Sequence, residues 1–263
     1  MLASPDGAVL LQHRAEWSHY GGTWGLPGGA RASAEPAHTA ALREATEEAA
    51  VPVAAVRPSH SWIEDHRAWS YTTLVGQAPH RVHAYPADLE SHEIRWVPFD
   101  EVEALPLHPG FAAHWGRLRE QALRRLVLLV DAANVVGSRP DGWWHDRLGA
   151  STRLRDALAR TARTGLPAGR FGLPGDTWWP DLHLVVEGQA RQLAPTDGVA
   201  VHAAPADGDS MLAELAAGSL HRRPQDHVVV VTADRALRAI VRDAGAATVG
   251  PGTLLEVLPQ AGA

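Results

Sequence analysis

Cysteine is absent from the 263 residues, which excludes disulfides and thiolate metal sites and accords with a reducing compartment. Lysine is absent too: all 24 basic residues are arginine. Beside 24 glycines, 19 prolines and abundant alanine, this reads as a GC-rich coding bias and not as phosphate recognition. No apolar run reaches the ~18 residues needed to cross a membrane, and no signal-peptide pattern opens the sequence. A soluble, cytoplasmic protein with no membrane partner is therefore expected. A net charge of -6 and a pI of ≈ 6.2 argue against general nucleic-acid binding and leave room only for a local basic groove. The length exceeds that of a common single domain, so two domains are expected.

What is present in quantity is acid on one segment. Residues 36–50 carry no glycine and no interior proline, and Pro36 suits a first helical position, so one alanine-rich helix is expected there. On it Glu44 precedes Glu47 by three residues and Glu48 by four, which turns all three carboxylates to one side. Like charges so spaced repel by roughly 0.2–0.5 kcal/mol per pair, and anions near a helix C-terminus are further disfavoured. A divalent cation reverses that balance, and Mg2+ suits one or two carboxylates completed by water and phosphate. The alternative is a solvated acidic face.

The wider pattern favours the cation. Gly29, five residues, Glu35, seven residues, then Arg43-Glu44-Ala45-Thr46-Glu47-Glu48-Ala49-Ala50-Val51 resembles the Nudix box, and Trp24-Gly25-Leu26-Pro27-Gly28-Gly29 resembles its usual entry. The resemblance implies an α/β/α sandwich with a mixed sheet and Mg2+-dependent hydrolysis of a diphosphate linkage in a nucleotide, an oxidised nucleoside triphosphate among the candidates. Mn2+ is the alternative ion. It further implies metal ligands at Glu44, Glu47, Glu48 and the backbone of Gly28 or Gly29, with Arg43 orienting a glutamate or phosphate, Glu35 supporting Arg43, and Glu44 or the loop acid Glu93 as base. Two positions depart from the pattern. Ala45 is smaller than the usual aliphatic, and Ala50 replaces the glycine that ends the helix, where a positive φ would cost about 1 kcal/mol.

Around the box, strands are expected at residues 8–13, 53–64, 69–76 and 94–98, and a closing helix at 111–125. The strand that precedes 8–13 in Nudix relatives is expected to be missing. Trp69 and Tyr71 share a sheet face and stand either as a base-stacking surface for the substrate or as core. The first domain is assigned to residues 1–124 and the second to 126–263.

In the second half, apolar runs at 126–131, 182–187 and 227–232 alternate with helical stretches at 146–164, 210–217 and 235–244, which predicts a parallel, Rossmann-like sheet. Asp131, Glu187 and Asp234 then fall at or beyond the carboxyl ends of strands, where such sheets bind ligands. Val130-Asp131-Ala132-Ala133-Asn134, Gly208-Asp209-Ser210 and Thr232-Ala233-Asp234-Arg235 resemble PIN and NYN-type ribonucleases. That resemblance implies Mg2+ or Mn2+ at Asp131, Glu187, Asp209 and Asp234, orientation by Asn134 and Thr232, and RNA as partner. Ser210 stands where some relatives carry a second acid. Trp143-Trp144 and Trp178-Trp179 read as base-stacking platforms or as core caps. Ala50, Ser210 and the missing strand keep a third reading open, in which one or both halves are degenerate nucleotide- or RNA-binding modules.

Overall fold

The computed structural model describes residues 1–138 and 143–259. The chain divides into two compact units, Met1–Leu123 and Arg124–Ala263. No helix among the described residues is long and apolar enough to cross a membrane.

The first unit runs β1 (Leu2–Ser4), β2 (Ala8–Arg14), β3 (Trp24–Gly25), α1 (Ala37–Ala49), β4 (Arg57–Asp65), β5 (Ser70–Gln77), β6 (Ser91–Pro98) and α2 (Pro109–Gln121). Strand β2 is its spine. β6 pairs with it antiparallel along its whole length, while β1 and then β3 take its other edge. Parallel pairing of β1 with β5, and antiparallel pairing of β5 with β4, complete a mixed sheet. The run Ala-Val-Leu-Leu is buried because both faces are covered. Val9 and Leu11 join Val75, Phe111, Trp115 and Leu118 beneath α2, and Leu10 joins Leu2, Ala49, Val51 and Val82 beneath α1.

The strand expected to be missing is thus present as β1. With three residues it carries no alternation that a sequence pattern could register, yet it bridges β2 to β5. Residues 53–55 form a 3-10 turn after Pro52, so β4 starts at Arg57. Helix α1 starts one residue later than expected, since Pro36 is extended (φ -61°, ψ 139°) and caps the helix from outside.

The second unit runs β7 (Leu126–Asp131), α3 (Ala132–Gly137), α4 (Arg147–Thr164), β8 (Leu166–Pro167), β9 (Thr177–Trp178), β10 (Asp181–Val186), β11 (Val199–Ala203), α5 (Gly208–Arg222), β12 (His227–Val231), α6 (Arg235–Asp243), β13 (Ala247–Val249) and α7 (Pro251–Val257). Five strands form an all-parallel sheet in the order β11-β10-β7-β12-β13. Alternate residues of β7 feed two cores. Leu126, Leu128 and Val130 pack with Leu158, Leu184 and Leu254, whereas Val127 and Leu129 pack with Leu212, Leu237 and Val241. A strand buried on both faces needs no polar alternation, which is why β7 reads as a continuous apolar run. Trp178 and Trp179 are core residues: both are buried, and their indoles donate to Pro174 O (2.6 Å) and Arg163 O (3.2 Å). They are therefore not stacking platforms. Trp144 is exposed, and the side chain of Trp143 lies outside what is described.

Candidate functional site

Helix α1 ends on Ala50 in the left-handed region (φ 52°, ψ 28°). Ala50 N–H donates to Thr46 O (3.0 Å) and Val51 N–H to Ala45 O (3.2 Å), and the Thr46 hydroxyl reaches Val51 O at 2.8 Å. The exit turn of the motif is therefore built without glycine, at the cost of a strained alanine.

Arg43 is the hub of the acidic face. Its Nε and Nη2 donate to Glu35 Oε1 (3.0 Å) and Oε2 (3.1 Å), its Nη1 to Glu44 Oε1 (2.7 Å) and Glu47 Oε2 (2.8 Å), and Nη2 also reaches Ala30 O (3.1 Å). Bonds from Glu35, then Glu44 and Glu47, fix the guanidinium in its charged form, and Arg43 in turn holds Glu35 below the usual carboxylate range. Every donor direction of this arginine points at protein, so it orients carboxylates here. Gly29 is needed for space, since a Cβ there would collide with the Glu44 carboxylate.

Glu48 differs from its neighbours. It is buried, receives one bond from Gly28 N–H (2.7 Å at Oε2), and has no cationic partner among the described residues. Burial pushes its pKa up to about 7, with Asp88, Glu44 and Glu90 adding to the rise and the Gly28 N–H opposing it. It is thus the Gly28 N–H that the structure shows at the glutamate face.

The segment before β6 supplies Asp88 and Glu90. Tyr85 and Ala87 donate their N–H groups to Ala49 O (3.2 Å) and Glu48 O (3.0 Å), which ties the segment to the end of α1. Glu93 lies exposed on β6 with its carboxylate 3.8 Å from Arg95 Nε. Sequence spacing did not single out Asp88 and Glu90. Spacing along an irregular loop carries no facing rule, whereas on a helix it does.

Beside the acidic face opens a cleft of ≈ 480 Å³, lined by Leu26 to Arg31, by Ala37, Ala41 and Ala45 of α1, and by residues 69–74. Trp69 is exposed and stacked on His66 (4.2 Å between centroids). Tyr71 is partly exposed and lies in register with Glu64. Loss of water, then Glu64 and Glu48, raise the Tyr71 phenol, which places it within the field of the acidic face. Arg14 also acts on Tyr71, and among the described residues its guanidinium bonds only a backbone carbonyl, His19 O at 3.0 Å. Nothing in the sequence pattern singled out Arg14.

A second acidic group stands at the carboxyl ends of the parallel strands. Asp131 ends β7, is buried, and accepts from Asn134 N (3.0 Å), Asn134 Nδ2 (2.8 Å) and Thr232 Oγ1 (3.0 Å). Asn134 Oδ1 in turn accepts Ala233 N–H (3.1 Å), so Asn134 and Thr232 lock the ends of β7 and β12 together. Burial raises Asp131, its hydrogen bonds oppose the rise, and Glu187 adds to it. Asp209 is raised by burial and then by Asp131, Asp234, Asp207 and Glu187, so these acids share one field. Three of them also hold helix starts. Glu187 accepts Gly208 N–H (3.0 Å), Asp207 accepts the Ser210 N–H (2.8 Å) and hydroxyl (3.1 Å), and Asp234 accepts Leu237 N–H (2.8 Å). Ser210 thus takes part in capping, and the cap residue is Asp207, which sequence reasoning did not single out. At neither site do three His, Asp or Glu side chains, among the described residues, stand close enough together to hold an ion as arranged.

Residues 1–118 match the model of the NUDIX domain. A Mycobacterium tuberculosis protein, named provisionally 8-oxo-dGTP diphosphatase 3, is 52% identical over 123 residues, covering 44% of this chain and 56% of its own. A Bifidobacterium longum nucleoside triphosphate pyrophosphatase/Nudix hydrolase fusion protein is 43% identical over 111 residues, covering 41% of this chain and 23% of its own. The chain thus spans little more than half, or less, of the curated relatives it matches. Among solved structures, the Nudix hydrolase RenU from M. smegmatis is 47% identical, with 45% of this chain and 78% of that one covered and a TM-score of 0.42.

Proposed function

Taking residues 1–118 as a Nudix domain, we propose that the first unit hydrolyses a diphosphate linkage in a nucleotide, with a divalent cation, Mg2+ in first place, on the face made by Glu44, Glu47 and Glu48. The observation that carries this is Glu48: a buried carboxylate in the field of Glu44, Asp88 and Glu90, with no arginine among the described residues to balance it. Hard oxygen donors of this kind suit Mg2+. As arranged, Glu44 and Glu47 turn toward Arg43, so taking up an ion draws at least one of them away from it.

The chain's own contributions follow from the geometry. Arg43, braced by Glu35, aims Glu44 and Glu47, and the Gly28 N–H fixes the direction of Glu48. Glu44 or Glu93 serves as base, and Asp88 and Glu90 add negative charge beside Glu48. Tyr71 and Trp69 at the cleft offer the nucleobase a stacking surface, and Arg14, with no carboxylate partner among the described residues, offers the phosphates a cation. The cation, when bound, offsets phosphate charge and favours attack of water on phosphorus.

The test is a diphosphatase assay of the whole chain on a nucleotide panel with Mg2+, headed by 8-oxo-dGTP because of the name of the M. tuberculosis relative. Glu48→Gln is expected to lose turnover on every substrate, and equal turnover by both proteins removes the assignment.

A second reading concerns the other unit. Asp131, Glu187, Asp209 and Asp234 share one field at the carboxyl ends of parallel strands, and Asp131 is buried with no cation beside it among the described residues. This supports a PIN/NYN-like unit that cleaves RNA phosphodiesters with Mn2+ or Mg2+. Incubating the whole chain with single-stranded and structured RNA decides it: cleavage that Asp131→Asn abolishes supports an active site. RNA retention without cleavage supports the degenerate binding module.

A further inference from the structure

We propose that Gln12 and Ser91 are positioning residues that hold the 88–90 segment against the glutamate face and thereby set how tightly that face takes a divalent cation. This rests on the divalent-cation reading above.

Gln12 lies on β2 between β3 and β6 and is 0% exposed. An amide at such a position is costly unless its groups are bonded, and leucine, the neighbour at Leu11, would fill the space without that cost. Its Oε1 is buried with no hydrogen-bond partner among the described residues, so the amide is not there to satisfy itself. Its Nε2 donates to the buried Ser91 Oγ at 2.7 Å. Ser91 Oγ in turn donates to Asp88 Oδ1 at 3.4 Å, and the same oxygen accepts Glu90 N–H at 3.0 Å.

This relay begins in the core of the sheet and ends on the first of the charges that act on Glu48. Backbone bonds already fix the path of the segment: Ala87 N–H to Glu48 O, and Ala15 N–H to Glu90 O at 2.8 Å. They leave the Asp88 side chain free to turn outward. The relay removes that freedom, so it sets where the Asp88 carboxylate points and how the Glu90 amide is held.

The experiment is a Mg2+ titration of the metal-free whole chain, without nucleotide, read by thermal stabilisation, with amide exchange of residues 85–91 followed in parallel. Wild type, Gln12→Leu, Ser91→Ala, Ser91→Thr and Glu48→Gln are compared. The expected result is that Gln12→Leu and Ser91→Ala need about 10- to 100-fold more Mg2+ for half the stabilisation, the scale set by partners of metal ligands. The Glu90 amide exchanges faster in both, and Ser91→Thr, which keeps the hydroxyl, titrates like wild type. Should the two variants titrate like wild type while Glu48→Gln loses the response, the relay is overturned and the cation site stands. A wild type with no Mg2+-dependent shift overturns both. Should Gln12→Leu unfold, Ser91→Ala against Ser91→Thr decides alone.

Discussion

Arg43 grips Glu35 through two parallel N–H···O bonds, Nε to Oε1 at 3.0 Å and Nη2 to Oε2 at 3.1 Å, while its Nη1 bridges Glu44 and Glu47. One planar fork thus organises three carboxylates spread over thirteen residues of chain. Lysine has the charge but not the fork. Arg43→Lys is expected to lower Mg2+ affinity and turnover about 10- to 100-fold while leaving the fold intact. Circular dichroism with steady-state kinetics checks both halves of that statement.

Gly29 lies against the Glu44 carboxylate, so Gly29→Ala displaces that group and not the backbone. A loss of Mg2+ affinity of about tenfold is expected, with the metal-free melting temperature close to wild type. A change in stability with unaltered Mg2+ affinity would contradict the assigned contact.

Ala50 occupies the left-handed region, where glycine carries no Cβ penalty. Ala50→Gly is expected to stabilise the chain by up to about 1 kcal/mol without altering turnover, since only the helix exit is relaxed. Equilibrium denaturation in urea measures it, and a destabilised variant would show that the turn is strain-free.

Glu48 makes stability depend on pH in a definite direction. Its folded pKa of about 7 lies above its ordinary value of 4.5, so between these values the folded protein holds the extra proton. Stability contributed by the protonated group is complete below pH 4.5 and lost as pH rises through 7. In EDTA, Glu48→Gln should therefore exceed wild type by about 1–3 kcal/mol at pH 8, with the difference closing toward pH 4. A difference independent of pH would refute the burial assigned to this carboxylate.

The glutamate face was legible because a helix converts spacing into direction: Glu44, Glu47 and Glu48 at i, i+3 and i+4 share a side whatever surrounds them. The apolar runs of β7, β10 and β12 were legible for the same kind of reason, since a strand covered on both faces needs no polar alternation. Strand β1 was not, because Leu2–Ser4 is too short to show a period. Nor was the approach of Asp88 and Glu90 to Glu48, which depends on how an irregular segment is tied down by Tyr85, Ala87 and Ser91. Asp207 was passed over for Asp209 because helix boundaries shift by a residue or two, and that shift exchanges cap for first turn.

The bond from Thr232 to Asp131 joins residues 101 positions apart, and β7 sits at the centre of its sheet between strands that arrive later in the chain. Such non-local pairing is slow to form, because the closure of a long loop precedes any reward for it. During synthesis, a chain that has emerged through β11 holds Asp131 and Glu187 but has neither Thr232 nor Asp234. The acidic group of the second unit is therefore assembled only after β12 and its following turn have emerged, and a product truncated after β11 carries Asp131 and Glu187 without the Thr232 clamp.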